Sequence, residues 1–111
     1  MPATELTVST ITTSGLTPPT YADANAAGNY FINNGKTFLI VKNASASPIK
    51  VTIDSPAYCD QGFQHDVEVT VAAGAEKWIG PFPTVRFNDS SGDVQITYDA
   101  VTNVTVAVVS I

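Results

Sequence analysis

The chain has 111 residues, of which 44% are apolar and only 14% charged, and ten acidic against five basic side chains give a formal charge of −5. A chain of this length makes one domain, able to bury roughly two-thirds of its unfolded surface without disulfide staples. Lys36, Lys42, Lys50, Lys77 and Arg86 are scattered along it, which excludes the basic cluster that nucleic acid or an anionic membrane requires, and no apolar run approaches the ~20 residues of a spanning helix.

The start, MPATELTVST, has neither the basic nor the apolar segment of a signal peptide, so the chain is expected to fold in a cytoplasm. Residues 1–27 read as an N-terminal arm or edge strand followed by a long loop, and residues 28–111 as the body of the same domain. In ELTVSTITT the apolar phase slips between Val8 and Ile11, which predicts a bulge or an early end to that strand. The segment TSGLTPPTYADANAAGN that follows is loop. Its best helical stretch, ADANAA, lacks an apolar face.

From Asn29 onward the pattern is β. NYFINNGKTFLIVK sets Asn34-Gly35 between two β-rich runs, which predicts a hairpin with a type I′ turn. TFLIVK is apolar at four successive positions and is expected to be buried on both faces. In PIKVTID, Ile49, Val51 and Ile53 share one face, and Val67, Val69 and Val71 do so in DVEVTV. Between these runs lies a second long loop, DSPAYCDQGFQH, with Tyr58 and Phe63 near its ends.

AAGA then turns the chain into EKWIGPFP. EKWI reads as a short strand whose Trp78 fills the core, since a buried tryptophan removes ~200 Å² from water. Gly80 and Pro81 cannot continue a central ladder, and Phe82 between two prolines is expected to tuck back under the sheet, so the segment is a corner. TVRFN is read as a strand, DSSGD as a polar turn, and VQITY and NVTVAVVSI as the last pair, with Val104, Val106 and Val108 on one face. Together these runs predict an all-β fold, a single antiparallel β-sandwich or jelly-roll-like barrel of about seven to nine short strands.

Groups that carry chemistry are sparse. Cys59 and His65, the only residues of their kinds, sit with Asp60 and Asp66 in one loop, at a spacing that matches neither a zinc site nor an activated thiol. The lone cysteine makes no internal disulfide. No calcium-loop, Rossmann or P-loop spacing occurs, so the chain is expected to be no enzyme and to hold no cofactor and no metal. The sequons at Asn43, Asn88 and Asn103 read as accidents of a Ser/Thr-rich chain.

The stretches NNGKTFLIVKN, VTVAAGAEKWIGPFP and FNDSSGDVQITYDAVTNVTVAVV resemble a group of small proteins encoded among tailed-bacteriophage structural genes. That group shows an N-x-G-K/R-T-F-L-x-V-x-N stretch, a V-x-A-G-x-E turn, an I-G-P-F-P corner and a similar C-terminal strand pair. The resemblance covers about residues 28–110 and leaves the N-terminal thirty unconstrained. It implies a non-enzymatic virion component, assembled in the host cytoplasm, most simply a decoration or cement protein outside a phage capsid. The partners so implied are the major capsid protein and copies of the chain itself, with a trimer favoured. Leu6, Val8, Ile11, Tyr21, Tyr58 and Phe63 are the candidate partner contacts; Asn34, Gly35, Trp78, Gly80, Pro81 and Phe82 are assigned to the core and turns. Two other readings remain open: a carbohydrate- or cell-surface-binding module in which Trp78, Tyr58, Phe63 and Tyr21 stack on sugar, and a head–tail connector or tail component.

Overall fold

Period-two alternation places its apolar residues inside. The computed structural model describes residues 4–15, 21–55 and 66–111; the loop candidates Tyr58 and Phe63, with Cys59 and His65, lie outside the described residues. In chain order the elements are β1 (Thr4–Glu5), β2 (Val8–Thr10), β3 (Ala22–Asp23), β4 (Asn29–Ile32), β5 (Thr37–Asn43), β6 (Ile49–Ile53), β7 (Val67–Val71), β8 (Glu76–Ile79), α1 (Thr84–Phe87), β9 (Asp93–Tyr98) and β10 (Val104–Ser110).

Two mixed sheets pack face to face, in the orders β1-β4-β9-β6-β7 and β2-β10-β5-β8, with β3 also paired to β10. The expected β-sandwich is therefore present, with ten strands among the described residues against the seven to nine expected; two are only two residues long, and one of these, β3, lies in the segment expected to be loop. The steps from β4 to β5, β5 to β6, β7 to β8, β8 to β9 and β9 to β10 each change sheet, whereas β6 and β7 pair as neighbours. With β3 antiparallel to β10, the facing orders β3-β10-β5-β8 and β4-β9-β6-β7 give the connectivity of a jelly roll.

The core lies between the sheets. Ile49, Val51 and Ile53 of β6 face Val104, Val106 and Val108 of β10 in one buried cluster with Phe31, Leu39 and Val41. β5 is buried on both faces as its sequence requires: Leu39, Ile40 and Val41 are each 0% exposed. Phe82 stacks between Phe31 and Phe87, with ring centroids at 5.7 and 5.5 Å, so the corner does turn an aromatic ring under the sheet.

The N-terminal strand changes sheets within itself. β1 runs parallel to β4 in one sheet and β2 parallel to β10 in the other, so the chain crosses the open side of the sandwich at Leu6 and Thr7. Leu6 fills the crossing and is 4% exposed. The strand stops at Thr10, where the apolar phase slipped.

Three local expectations are corrected. Asn34-Gly35 does not close a hairpin, because β4 pairs with β9 while β5 pairs with β10. Gly35 has φ of 87° but Asn34 does not adopt positive φ, so the turn is not type I′. Its geometry comes from Asn33, whose Oδ1 accepts the Gly35 N–H at 3.0 Å and turns the chain from one sheet to the other. TVRFN is not a strand but the one-turn helix α1, in which the Phe87 and Asn88 N–H groups bond the Pro83 and Thr84 carbonyls at 3.0 and 3.1 Å. Pro83 presets the backbone for that turn, and the turn aims Phe87 at Phe82.

Trp78 is the third correction: it is 61% exposed rather than in the core. The register sets Ile79 opposite Leu39 on the inner face and Trp78 opposite Ile40 on the outer one. Phe82 occupies the interior beyond the end of β8.

Candidate functional site

The residues singled out from sequence separate into core and surface. Leu6 belongs to the buried cluster and Val8 packs against it, so both shape the interior. Ile11 is 44% exposed and Tyr21 half-buried. Asn34, Gly35, Gly80, Pro81 and Phe82 occupy corners or core. No three His, Cys, Asp or Glu side chains among the described residues are placed to hold a metal, and no helix among them is long and apolar enough to cross a membrane.

Two surfaces and one polar cluster stand out. The first surface is the end of the sandwich around residues 33–37. Ile11, Ile32, Val85 and Ile111 are 44, 60, 89 and 60% exposed, a high apolar content for solvent-facing positions. The backbone gathers them there: Ile11 N–H donates to the Ser110 carbonyl at 2.8 Å and Ile111 N–H to the Lys36 carbonyl at 3.1 Å. Val85 lies in α1, whose Thr84 methyl approaches Gly35. A groove between the N-terminal strand and this end is lined by Val8, Thr10, Ile32, Asn34, Thr37 and Ser110.

The second surface is the outer face of the sheet containing β5 and β8. Trp78 Nε1 donates to Glu76 Oε2 at 2.7 Å, Glu76 Oε1 lies 3.9 Å from Lys42 Nζ, and Lys42 Nζ stands 4.1 Å over the Tyr21 ring. Partial burial, and then the Glu76 charge, raise the Tyr21 pKa, so its phenol stays protonated at neutral pH. Two aromatic rings thus flank an exposed ion pair. Assigning Trp78 to the core missed this face, although the sugar-stacking alternative names Trp78 and Tyr21; the adjacent pair Trp78-Ile79 offers two phases, and only the pairing with β5 decides between them.

The polar cluster is Asp54, Asp66, Asp89 and Asp93. Burial, then the charge and hydrogen bond of Asp66 and the charge of Asp89, hold Asp54 above the usual carboxylate range. Burial pushes Asp89 upward too, but hydrogen bonds from Gln95, Asp93, Ser91 and Gly92 outweigh it and set its pKa low. Asp89 Oδ1 accepts the Ser91 and Asp93 N–H groups at 2.8 and 3.0 Å, and Oδ2 accepts Gln95 Nε2 at 2.9 Å. Its carboxylate is thus the organiser of the DSSGD turn. Asn43, first residue of a sequon, is 1% exposed and donates to the Ser47 and Val71 carbonyls at 2.9 and 3.1 Å, which is incompatible with a glycan at that nitrogen in the folded chain.

Comparison with protein-family models, curated proteins and solved structures finds no match to this chain.

Proposed function

We propose that the chain is a non-enzymatic structural protein of a tailed-bacteriophage particle, a decoration protein on the outside of the head. The resemblance across residues 28–110 supports the lineage. The observation that carries the role is the apolar end of the sandwich, where Ile11, Ile32, Val85 and Ile111 face solvent around one corner. Such a patch loses apolar area to water unless a partner covers it, and a capsid lattice or neighbouring copies supply that partner.

A role in shape and contact also suits the placement of the resembling motifs. NNGKTFLIVKN forms a corner and the doubly buried strand β5, and IGPFP forms the corner that delivers Phe82 to the core. These residues specify a scaffold; its surface carries the recognition. The partners on this reading are the major capsid protein and further copies of the chain, assembled in the host cytoplasm, with a trimer as the expected oligomer.

The deciding experiment is the copy number of this chain in purified particles of the phage that encodes it, by quantitative mass spectrometry. Hundreds of copies per particle establish decoration. A handful assigns it to a connector or tail, and absence removes the virion reading.

A further inference from the structure

Trp78 presents an apolar ring to solvent at a position where a strand edge ordinarily carries charge or polarity, and its neighbours hold it there. Its N–H is already bonded to Glu76, so the exposed faces of the ring have only apolar contact left to make. Across the ladder stands Ile40, which is 0% exposed although it points to the outer side of the sheet. Glu76 shares the face of Trp78 two residues away and stands opposite Lys42. Lys42 in turn fixes the Tyr21 ring. A shallow groove runs beside the pair, lined by Lys42, Asn43, Ala44, Gly74, Ala75 and Glu76.

We infer that this face is a carbohydrate-binding platform for neutral pyranosides, stacking one sugar ring on Trp78 with Glu76 and Lys42 at its hydroxyl edge. The ligand class follows from the mixture of groups. A pyranose has an apolar C–H face for the indole and a rim of hydroxyls that both donate and accept. Glu76 accepts and Lys42 donates, and both are exposed beside the ring.

Other small ligands fit less well. A nucleotide base also stacks on an indole, but the Lys42 ammonium that would meet its phosphate is shared with Glu76, in a chain of net charge −5. A quaternary ammonium needs free aromatic faces around it, and the Tyr21 face already carries the Lys42 ammonium. A protein partner needs a broad apolar patch, whereas Glu76 and Lys42, both exposed, share the face of Trp78. This inference is independent of the particle reading, because it concerns a different face.

Trp78 is the only tryptophan of the chain, so intrinsic emission reports this face alone. The test screens the intact protein on an array of neutral and sialylated glycans, then titrates Trp78 emission with maltotriose, lactose, cellotriose and any array hit to about 10 mM, enough to saturate much of a millimolar site. The expected result is a saturable emission change with a neutral glycan, and array binding about tenfold weaker or more in Trp78→Ala at an unchanged melting midpoint. Silence on the array with flat emission overturns the inference. So does Trp78→Ala binding as well as the parent, or hits confined to sialylated glycans.

Discussion

Asn33 and Asn88, 55 positions apart, bond each other in both directions: Asn33 Nδ2 donates to Asn88 Oδ1 at 2.6 Å, and Asn88 Nδ2 donates to the Asn33 carbonyl at 3.1 Å. The same Asn33 Nδ2 donates to the Phe82 carbonyl at 2.9 Å, and its Oδ1 accepts the Gly35 N–H and the Thr37 hydroxyl. One 5%-exposed amide therefore joins the sheet-changing corner, the proline corner and the end of α1.

Removing that amide orphans several buried partners at once. Asn33→Ala is expected to cost about 2–4 kcal/mol, since each buried polar group left unpaired costs about 1–3 kcal/mol. Urea unfolding measures it; a loss below about 0.5 kcal/mol, the range of an ordinary surface change, refutes the hub.

Gly35 and Gly80 both have positive φ, at 87° and 135°, but their surroundings differ. A Cβ on Gly35 meets only the Thr84 methyl at 3.6 Å, so Gly35→Ala is expected to cost about 1 kcal/mol from backbone strain alone. A Cβ on Gly80 lies 2.8 Å from the Thr37 carbonyl and 3.2 Å from Phe38 Cα, both backbone of the central strand β5. Gly80→Ala is therefore expected to cost at least about 3 kcal/mol, strain and overlap together. Melting midpoints of the two variants in the opposite order refute this account of the corner.

These corners explain how far the sequence could be read. Alternation in β6, β7, β9 and β10 is a local signal, and the continuous apolar run of β5 announced a strand buried on both faces; both were legible. Sheet membership was not, because Asn34-Gly35 carries the residues of a hairpin while its outcome depends on Asn33 finding Phe82 and Asn88 about fifty positions away. The helical turn at Thr84–Phe87 was hidden for a similar reason: Val85 and Phe87 alternate like strand residues, and the contact of Phe87 with Phe82 decides the backbone. The core assignment of Trp78 failed on one-residue phase, with Ile79 taking the inward side.

Asp54 predicts a pH dependence. Burial and the neighbouring Asp66 and Asp89 raise its carboxyl pKa, so the native state holds that proton more tightly than the unfolded chain does. Its effect on stability is thus favourable while it is protonated, and is lost as pH rises from the ordinary carboxylate value through the raised one. Asp54→Asn removes the repulsion. The variant is expected to be more stable than the parent at pH 7 by a few tenths to about 1 kcal/mol, a modest gain because the site is solvent-screened. The gap should close near pH ~3, where the parent carboxyl is neutral. A variant less stable at pH 7 refutes the repulsion.

Leu6 and Ile11 separate the interior from the exposed apolar end within one N-terminal segment. Leu6 is 4% exposed at the crossing between sheets, and its N–H bonds the Tyr30 carbonyl at 2.8 Å. Leu6→Ala leaves a cavity under β4 and is expected to cost about 2–4 kcal/mol. Ile11 lies only five positions on, 44% exposed at the apolar end. Ile11→Ala keeps the backbone bond to Ser110 and is expected to change stability by no more than about 0.5 kcal/mol. On the decoration reading the order reverses for binding: Ile11→Ala, fully folded, should occupy fewer sites on undecorated heads in a sedimentation assay. Folded Ile11→Ala that binds heads like the parent removes Ile11 from the contact surface, and a stability loss matching that of Leu6→Ala shows that the residue anchors the strand.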